Sequence, residues 1–249
     1  MLWLDIQAPF AACRPLVAGW YRPTAGFLTH SSVYGLVLNI AGRETRLWEH
    51  EDGHDEKTPA SLTRTGLPRF HIALGLPGGA EIPVVQTIFQ QLHNYPVGSQ
   101  AGVDPALAKG RKNNIAPVRR ELLCAVHALA VIDGDPSLEN DLRLGLDGRK
   151  NEGRYGLPFL GDNNFTVDRI EEVEPRPARW YSLVADRAGR PREGTTRLTV
   201  HIDRADMSGT RSALFAPESK LTDQPPDGAT VPMGDPTGFE KWHKDHSVC

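Results

Sequence analysis

The first hydrophobic signal in the chain has a period of two. In MLWLDIQAPF, Leu2, Leu4, Ile6 and Ala8 alternate with Trp3, Asp5 and Gln7, which predicts a half-buried strand ended by Pro9. A loop with Arg14, Tyr21, Arg22 and two prolines follows. The spacing then changes to threes and fours: Val33, Leu36, Val37, Ile40 and Ala41 predict a helix, with Ser31 and Ser32 as N-cap candidates and Gly42 as its stop. Gly35 within that helix costs about 1 kcal/mol relative to alanine, so a close packing contact is expected to require it.

Residues 43 to 68 are polar and read as an exposed loop, and Phe70, Ile72 and Leu74 then alternate as a strand before LPGG turns the chain. Pro83 to Pro117 contains Gln86, Gln90, Gln91, His93, Asn94 and Tyr95, with few charges before Lys109, and predicts a projecting hairpin or loop. The stretch ELLCAVHALAVI is apolar almost throughout, so periodicity leaves buried strand and buried helix both open. Asp135 is placed to cap PSLENDLRLGL, an amphipathic helix carrying Leu138, Leu142 and Leu146. RYGLPFLGDNNFTVDRI predicts a glycine-punctuated loop and a short strand, and two more strands are expected at Trp180 to Ala185 and Thr196 to Ile202. After about Phe215 apolar anchors are few, which predicts a poorly ordered or partner-dependent tail.

This order of elements is compatible with an α+β, ferredoxin-like split β-α-β sheet, the topology of the RNA-recognition motif. The expected organisation is a body over 1–175 with an insertion at about 83–117, a small C-terminal β extension over 176–214, and the tail over 215–249. The fold hosts many functions and selects none of them.

Composition narrows the classes. The 249 residues are 39% hydrophobic and 24% charged, as in ordinary soluble domains. No apolar run approaches the roughly 20 residues that span a bilayer, and no leader pattern opens the chain, so a cytoplasmic protein without membrane partners is expected. Cys13, Cys124 and Cys249 are scattered and imply neither a disulfide framework nor a zinc knuckle. A net charge of −3 argues against a nucleic-acid binder that is basic all over. Locally the balance reverses: KGRKNNIAPVRR holds Lys109, Arg111, Lys112, Arg119 and Arg120 with no acidic residue.

In that patch the cations suit RNA phosphates and Asn113 and Asn114 suit base edges or sugar hydroxyls, with a solvated charged loop as the plain alternative. Tyr21, Phe89 and Tyr95 are candidate stacking platforms, although aromatics at such positions are more often packing residues, by about two to one. Arg14 and Arg22 precede Ser31 and Ser32 at a helix start, a ready anion site or simple capping. Gln86, Gln90, Asn163 and Asn164 add amides to the RNA-contacting set. His50, Glu51, Asp52, His54, Asp55 and Glu56 look like metal ligands, but Gly53 and the surrounding charges place them in a loop, so no metal is expected. No nucleophile elbow, P-loop or dinucleotide fingerprint is present, and neither enzymatic turnover nor a cofactor is expected. Two enzymatic rivals stay open: an endoribonuclease using His71, His93 or His127 as general base, and a metal-dependent hydrolase using His50 and His54. An interaction module without RNA is the third.

LWLDIQAPFAACRP, the loop with Tyr21 and Pro23, and HSSVYGLVLNIAG together resemble the N-terminus of the CRISPR-associated Cas five family, the small backbone subunit of Cascade complexes. Family members similarly run from a strand into an F-A-x-F-R-P turn, then a proline-containing loop, then a Ser-x-x-Tyr-Gly helix. Here the turn is Ala12-Cys13-Arg14-Pro15 and the helix start is Ser31 to Gly35. The chain is most similar to the DevS-like, Myxococcus-type, subtype I-B branch, with RYGLPFLGDNNF resembling that branch's second glycine-containing segment. The resemblance covers about the first two thirds of the chain. It implies a ferredoxin-like body with a projecting β-hairpin thumb, for which 83–117 is the candidate. It further implies a non-catalytic role capping the 5′ handle of the guide RNA (crRNA), beside the large subunit and the terminal backbone subunit. Target DNA would be met through the complex, in interference or in RNA-guided transposition. Some relatives cut precursor RNA with a Tyr, Lys and His set, which no motif places here.

Overall fold

The stretch whose periodicity is ambiguous, ELLCAVHALAVI, belongs to a single long strand, and the other strands are arranged around it. In the computed structural model, which describes residues 1–15, 20–47, 62–96, 113–150, 156–184 and 192–247, the chain is a mixed α+β protein with one large, mainly antiparallel sheet. The elements are β1 (Leu2–Ala11), β2 (Tyr21–Arg22), α1 (His30–Ile40), β3 (Phe70–Pro77), β4 (Val84–Pro96), β5 (Asn113–Asp133) and α2 (Pro136–Leu146). They continue with β6 (Arg169–Glu172), β7 (Ala178–Leu183), β8 (Thr196–His201), β9 (Arg211–Pro217), β10 (Val231–Met233) and α3 (Pro236–Ser247). Across the sheet the order is β6-β1-β5-β3-β7-β9-β8, with β10 joined to β3 and both β2 and β4 joined to β5.

The inner half of β5 reads as continuous apolar sequence because both sheet faces are covered there. On one face Ala128, Ala130 and Ile132 meet Leu2, Leu4 and Ile6 under α1 and α2. On the other, Leu129 and Val131 pack with Trp3, Ala73 and Trp180, the two indoles meeting edge to face at 5.4 Å. β1 is therefore not half-buried as its alternation predicts. Trp3 is covered by the β7 side of the sheet, and Asp5 is buried because Gln7 Nε2 (2.8 Å) and His127 Nε2 (3.0 Å) bond its carboxylate while Arg176 pairs with it. Gly75 makes room for Trp180, since a Cβ there would lie 2.8 Å from the indole.

Pro9 does not end β1. Pairing resumes beyond it, with Ala8 opposite Val126 and Phe10 opposite Cys124. In that register Pro9 faces Ala125, whose φ is +55°. A proline cannot donate to the ladder and is tolerated where the ladder is already interrupted. The kink lets Leu123 and Val126, an odd spacing for one strand face, both reach the main core.

The helices follow the pattern with two corrections. Thr29, not Ser31 or Ser32, is the N-cap of α1, and its hydroxyl accepts from Ser32 N at 3.2 Å. Gly35 is exposed and a Cβ there would meet nothing within 4 Å among the described residues, so no packing contact with them requires it. The close approach between helices is made by Gly145 of α2, where a Cβ would sit 1.9 Å from Ile40 O. Asp135 caps α2 as expected, accepting from Leu138 N at 2.8 Å. After 215 the chain holds β10 and α3 against the core through Ala229, Val231, Met233 and Phe239. These four apolar residues are too widely spaced to form a periodic signal in sequence. No helix among the described residues is long and apolar enough to cross a membrane.

His30, the first residue of α1, is fully buried against Phe215, and neither ring nitrogen has a hydrogen-bond partner among the described residues. Burial pushes its pKa down to about 3 from the ordinary 6.5. The folded state thus binds fewer protons than the unfolded state between those values, so stability falls as pH drops below about 6.5, by up to about 1.4 kcal/mol per pH unit. His30→Leu is expected to be at least as stable at pH 7, because it removes two unpaired buried polar atoms. Urea denaturation from pH 7 to pH 4 should show a shallower loss for the variant; parallel curves would mean that His30 is not responsible.

Candidate nucleic-acid interface

Beyond the kink at Ala125, β5 leaves β3 and pairs with β4, from Val84 opposite Cys124 out to Pro96 opposite Asn113. On its other edge β2 runs parallel, setting Tyr21 beside Arg119 and Arg22 beside Arg120, with Arg119 N donating to Trp20 O at 2.8 Å. Directly opposite residues share a face. Tyr21, Arg119 and Phe89 therefore form a row across three strands, with Tyr21 48% and Phe89 74% exposed and the Arg119 guanidinium 5.3 Å from the Phe89 ring centre. Glu121 fastens β2 to β5: it accepts from Tyr21 OH, and from Thr24 N at 3.0 Å. An exposed aromatic row carrying a cation is the arrangement that stacks bases and meets phosphates.

The opposite face of the same pairs is anchored to the body. Arg120 is 4% exposed, with Nη2 2.5 Å from Asp162 Oδ2, Nη1 donating to Gln90 Oε1 at 3.2 Å, and its guanidinium 4.8 Å from the Phe165 ring centre. Arg14 reaches the same Asp162 oxygen at 2.8 Å from the more exposed side. Asp162 Oδ1 accepts from Asn164 N and Nδ2. Gly161 seats the loop: its φ is +74°, and a Cβ would fall 2.3 Å from Ala12 O. Leu160 O accepts from Ala12 N at 3.2 Å alongside. Asp162 is the residue that sequence reasoning missed, and the glycine before it was its signal.

A groove of about 430 Å³ opens beside α1 and is lined in part by Arg14, Ser31, Ser32 and Gly35. The serines are engaged locally: Ser32 Oγ donates to Thr29 O at 2.8 Å, and Ser31 Oγ lies 3.2 Å from Thr29 Oγ1. The structure brings Arg14, Ser31 and Ser32 to one groove and Tyr21, Arg22, Arg119 and Arg120 to one hairpin foot. Gln86, Asn163 and Asn164 are exposed. Arg120 is not presented to solvent as a phosphate contact, because its charge is committed to Asp162. Lys109, Arg111 and Lys112 lie outside the described residues, as do the side chains of His93, Tyr95, Asn113 and Asn114, although the backbones of these four are part of β4 and β5. His50, Glu51, Asp52, His54, Asp55 and Glu56 also lie outside them, and no metal-holding group of three His, Cys, Asp or Glu side chains occurs among the described residues. Burial, with Arg169 nearby, lowers the His127 pKa, and its Nε2 lies 3.0 Å from Asp5 Oδ2. His71 is exposed on β3.

Removing one partner of a buried ion pair strands the other, at a cost of roughly 3–5 kcal/mol. Asp162→Ala is expected to destabilise the protein on that scale, and Arg14→Ala, at an exposed partner, by no more than about 1 kcal/mol. Chemical denaturation of the two variants checks this; equal losses would remove Arg120 from the centre of the cluster.

No family model and no curated protein sequence matches the chain. The solved structures to which it is similar include a chain of a CRISPR RNA-guided surveillance complex, with a TM-score of 0.48 and 14% identity, covering 93% of this chain and 89% of that one. They also include a Cas protein, with a TM-score of 0.39 and 14% identity, covering 89% of this chain and 92% of that one.

Proposed function

We propose that this chain is the non-catalytic, cytoplasmic subunit of a type I CRISPR Cascade that binds and caps the 5′ handle of the crRNA, in the Cas five family and its subtype I-B branch. The observation that carries this reading is convergence. Three stretches nominated separately from sequence, the Arg14 turn, Tyr21–Arg22 and Arg119–Arg120, meet at the foot of one hairpin. The order β1-α1-β3-β5-α2-β6, with spatial order β6-β1-β5-β3, supports a ferredoxin-like body. The β4–β5 hairpin is the proposed thumb, and Lys109, Arg111 and Lys112 fall in the connection between its strands.

In this role the protein turns nothing over. Cations neutralise phosphates, and bases splayed by the hairpin stack on Phe89 and Tyr21 while amides such as Gln86 and Asn163 read edges or sugars. The large subunit and backbone subunits would hold the complex together, and target DNA would be reached through it, for interference or for guided transposition. The Asp5–His127 pair gives the endoribonuclease rival a specific residue, so the same experiment should include precursor RNA.

The test is binding of labelled guide RNA, with and without its 5′ handle, across a salt series. Wild type should require the handle. Its affinity should fall with log salt by about 0.7 per neutralised phosphate, and Lys109→Ala, Arg111→Ala and Lys112→Ala combined should reduce the slope by about 2. Phe89→Ala should weaken binding about 5- to 150-fold. Handle-independent binding unchanged in these variants would overturn the reading, and precursor cleavage lost in His127→Ala would replace it with the nuclease.

A further inference from the structure

β6, β8 and β4 each pair on one side alone among the described residues, and their free edges are not protected alike. β6 is four residues long and three of them are charged, while β8 is six residues long and carries the exposed Arg197. Shortness and charge are how natural sheets keep an edge from recruiting another strand. β4 has neither. It runs for 13 residues, Val84–Pro96, without one Asp, Glu, Lys or Arg, although 24% of the whole chain is charged.

Both faces of this strand are open as well. Val84 and Ile88 on one face and Val85 and Phe89 on the other are between 39% and 74% exposed. Past Leu123 no described strand but β4 follows β5, save the two residues of β2 at Arg119 and Arg120. A ribbon of two strands is marginal in water, and a third strand is what makes such a unit stable. Along the free edge, alternate residues of β4 direct their N–H and C=O away from β5, ready to receive that strand.

We propose that the free edge of β4 pairs with the same edge of a second copy of this chain, antiparallel, so that two hairpins form a four-stranded ribbon about a two-fold axis. The occupant has to be extended, uncharged and apolar on both faces, with its own edge unpaired. β4 of another copy meets each condition, and an interface built from one patch used twice closes as a dimer. Without charges the edge meets no like-charge repulsion from itself, and it offers no cation to hold a nucleic acid along its length. The body joins each hairpin at the Val84 end, so antiparallel pairing sets the two bodies at opposite ends of a ladder about 43 Å long. Self-pairing does not depend on RNA binding: it covers the edge of β4 and leaves open the face that carries Tyr21, Arg119 and Phe89. One ladder with a few apolar side chains beside it is a small interface, under about 1,200 Å², so the dimer is reversible.

Sedimentation of the full chain from roughly 1 µM to roughly 200 µM should carry the mass from 27.4 kDa toward twice that value. Hydrogen exchange at the same two concentrations should slow at the amides of 84–91 and stay unchanged in β6 and β8. Thr87→Lys with Gln91→Lys places two charges on exposed positions of the edge strand, opposite Glu121 and Pro117. The double variant should keep its thermal midpoint and remain a monomer at the higher concentration. A wild-type chain that stays monomeric throughout overturns the proposal and leaves the edge to a strand of a different protein. A dimer that persists in the folded double variant overturns it too, as does concentration-dependent protection confined to other elements, and the exchange result on wild type decides the location whether or not the variant folds.

Discussion

Backbone pairing along β5 is the constraint on which everything else depends. Its 21 residues extend about 70 Å at about 3.3 Å each, longer than a domain of this size is wide. The strand therefore serves two partnerships in succession. Its inner half is buried between β1 and β3, and its outer half is held by β4 and β2. The hydrogen bonds that stabilise the body and those that build the proposed interface belong to one continuous backbone, so neither can be repositioned without the other.

A second set of interactions ties that interface to distant sequence. The loop around Gly161 contributes the carboxylate that neutralises Arg120 from β5 and Arg14 from the turn after β1. Hydrophobic burial cannot position such groups because it is not directional. The two guanidinium contacts to one Asp162 oxygen, with Phe165 against the buried cation, supply the missing direction. The result is an exposed face with unpaired aromatic surface and an anchored face with paired charge, on opposite sides of the same cross-strand pairs.

Much of the fold was legible where local chemistry and burial agree. The alternation of Leu2, Leu4 and Ile6, the Asp135 cap and the threes and fours of α1 all encode contacts made within a few residues or on one face. The failures share a cause. Trp3 and Asp5 were read as solvent-facing because a strand cannot announce that its second face will be covered by Trp180 and Ala229, far along the chain. Gly35 and Gly145 look alike in sequence, yet only Gly145 meets a carbonyl of the neighbouring helix. At the interface, clustered charges pointed to the hairpin region but could not separate exposed Arg119 from buried Arg120, neighbours on opposite faces of one strand.

The left-handed residue at 125 makes the hairpin a lever. From Ala125 to the start of β5 at Asn113 is about 40 Å of extended chain, so a rotation of 10° at that point displaces the far end by about 7 Å, roughly the spacing between successive nucleotides in an extended single strand. Register between this protein and anything its hairpin touches is thus set by how firmly that point is braced, by β1 pairing with Cys124 and Leu123 just beyond it and by Arg120 on Asp162, remote from the contact itself.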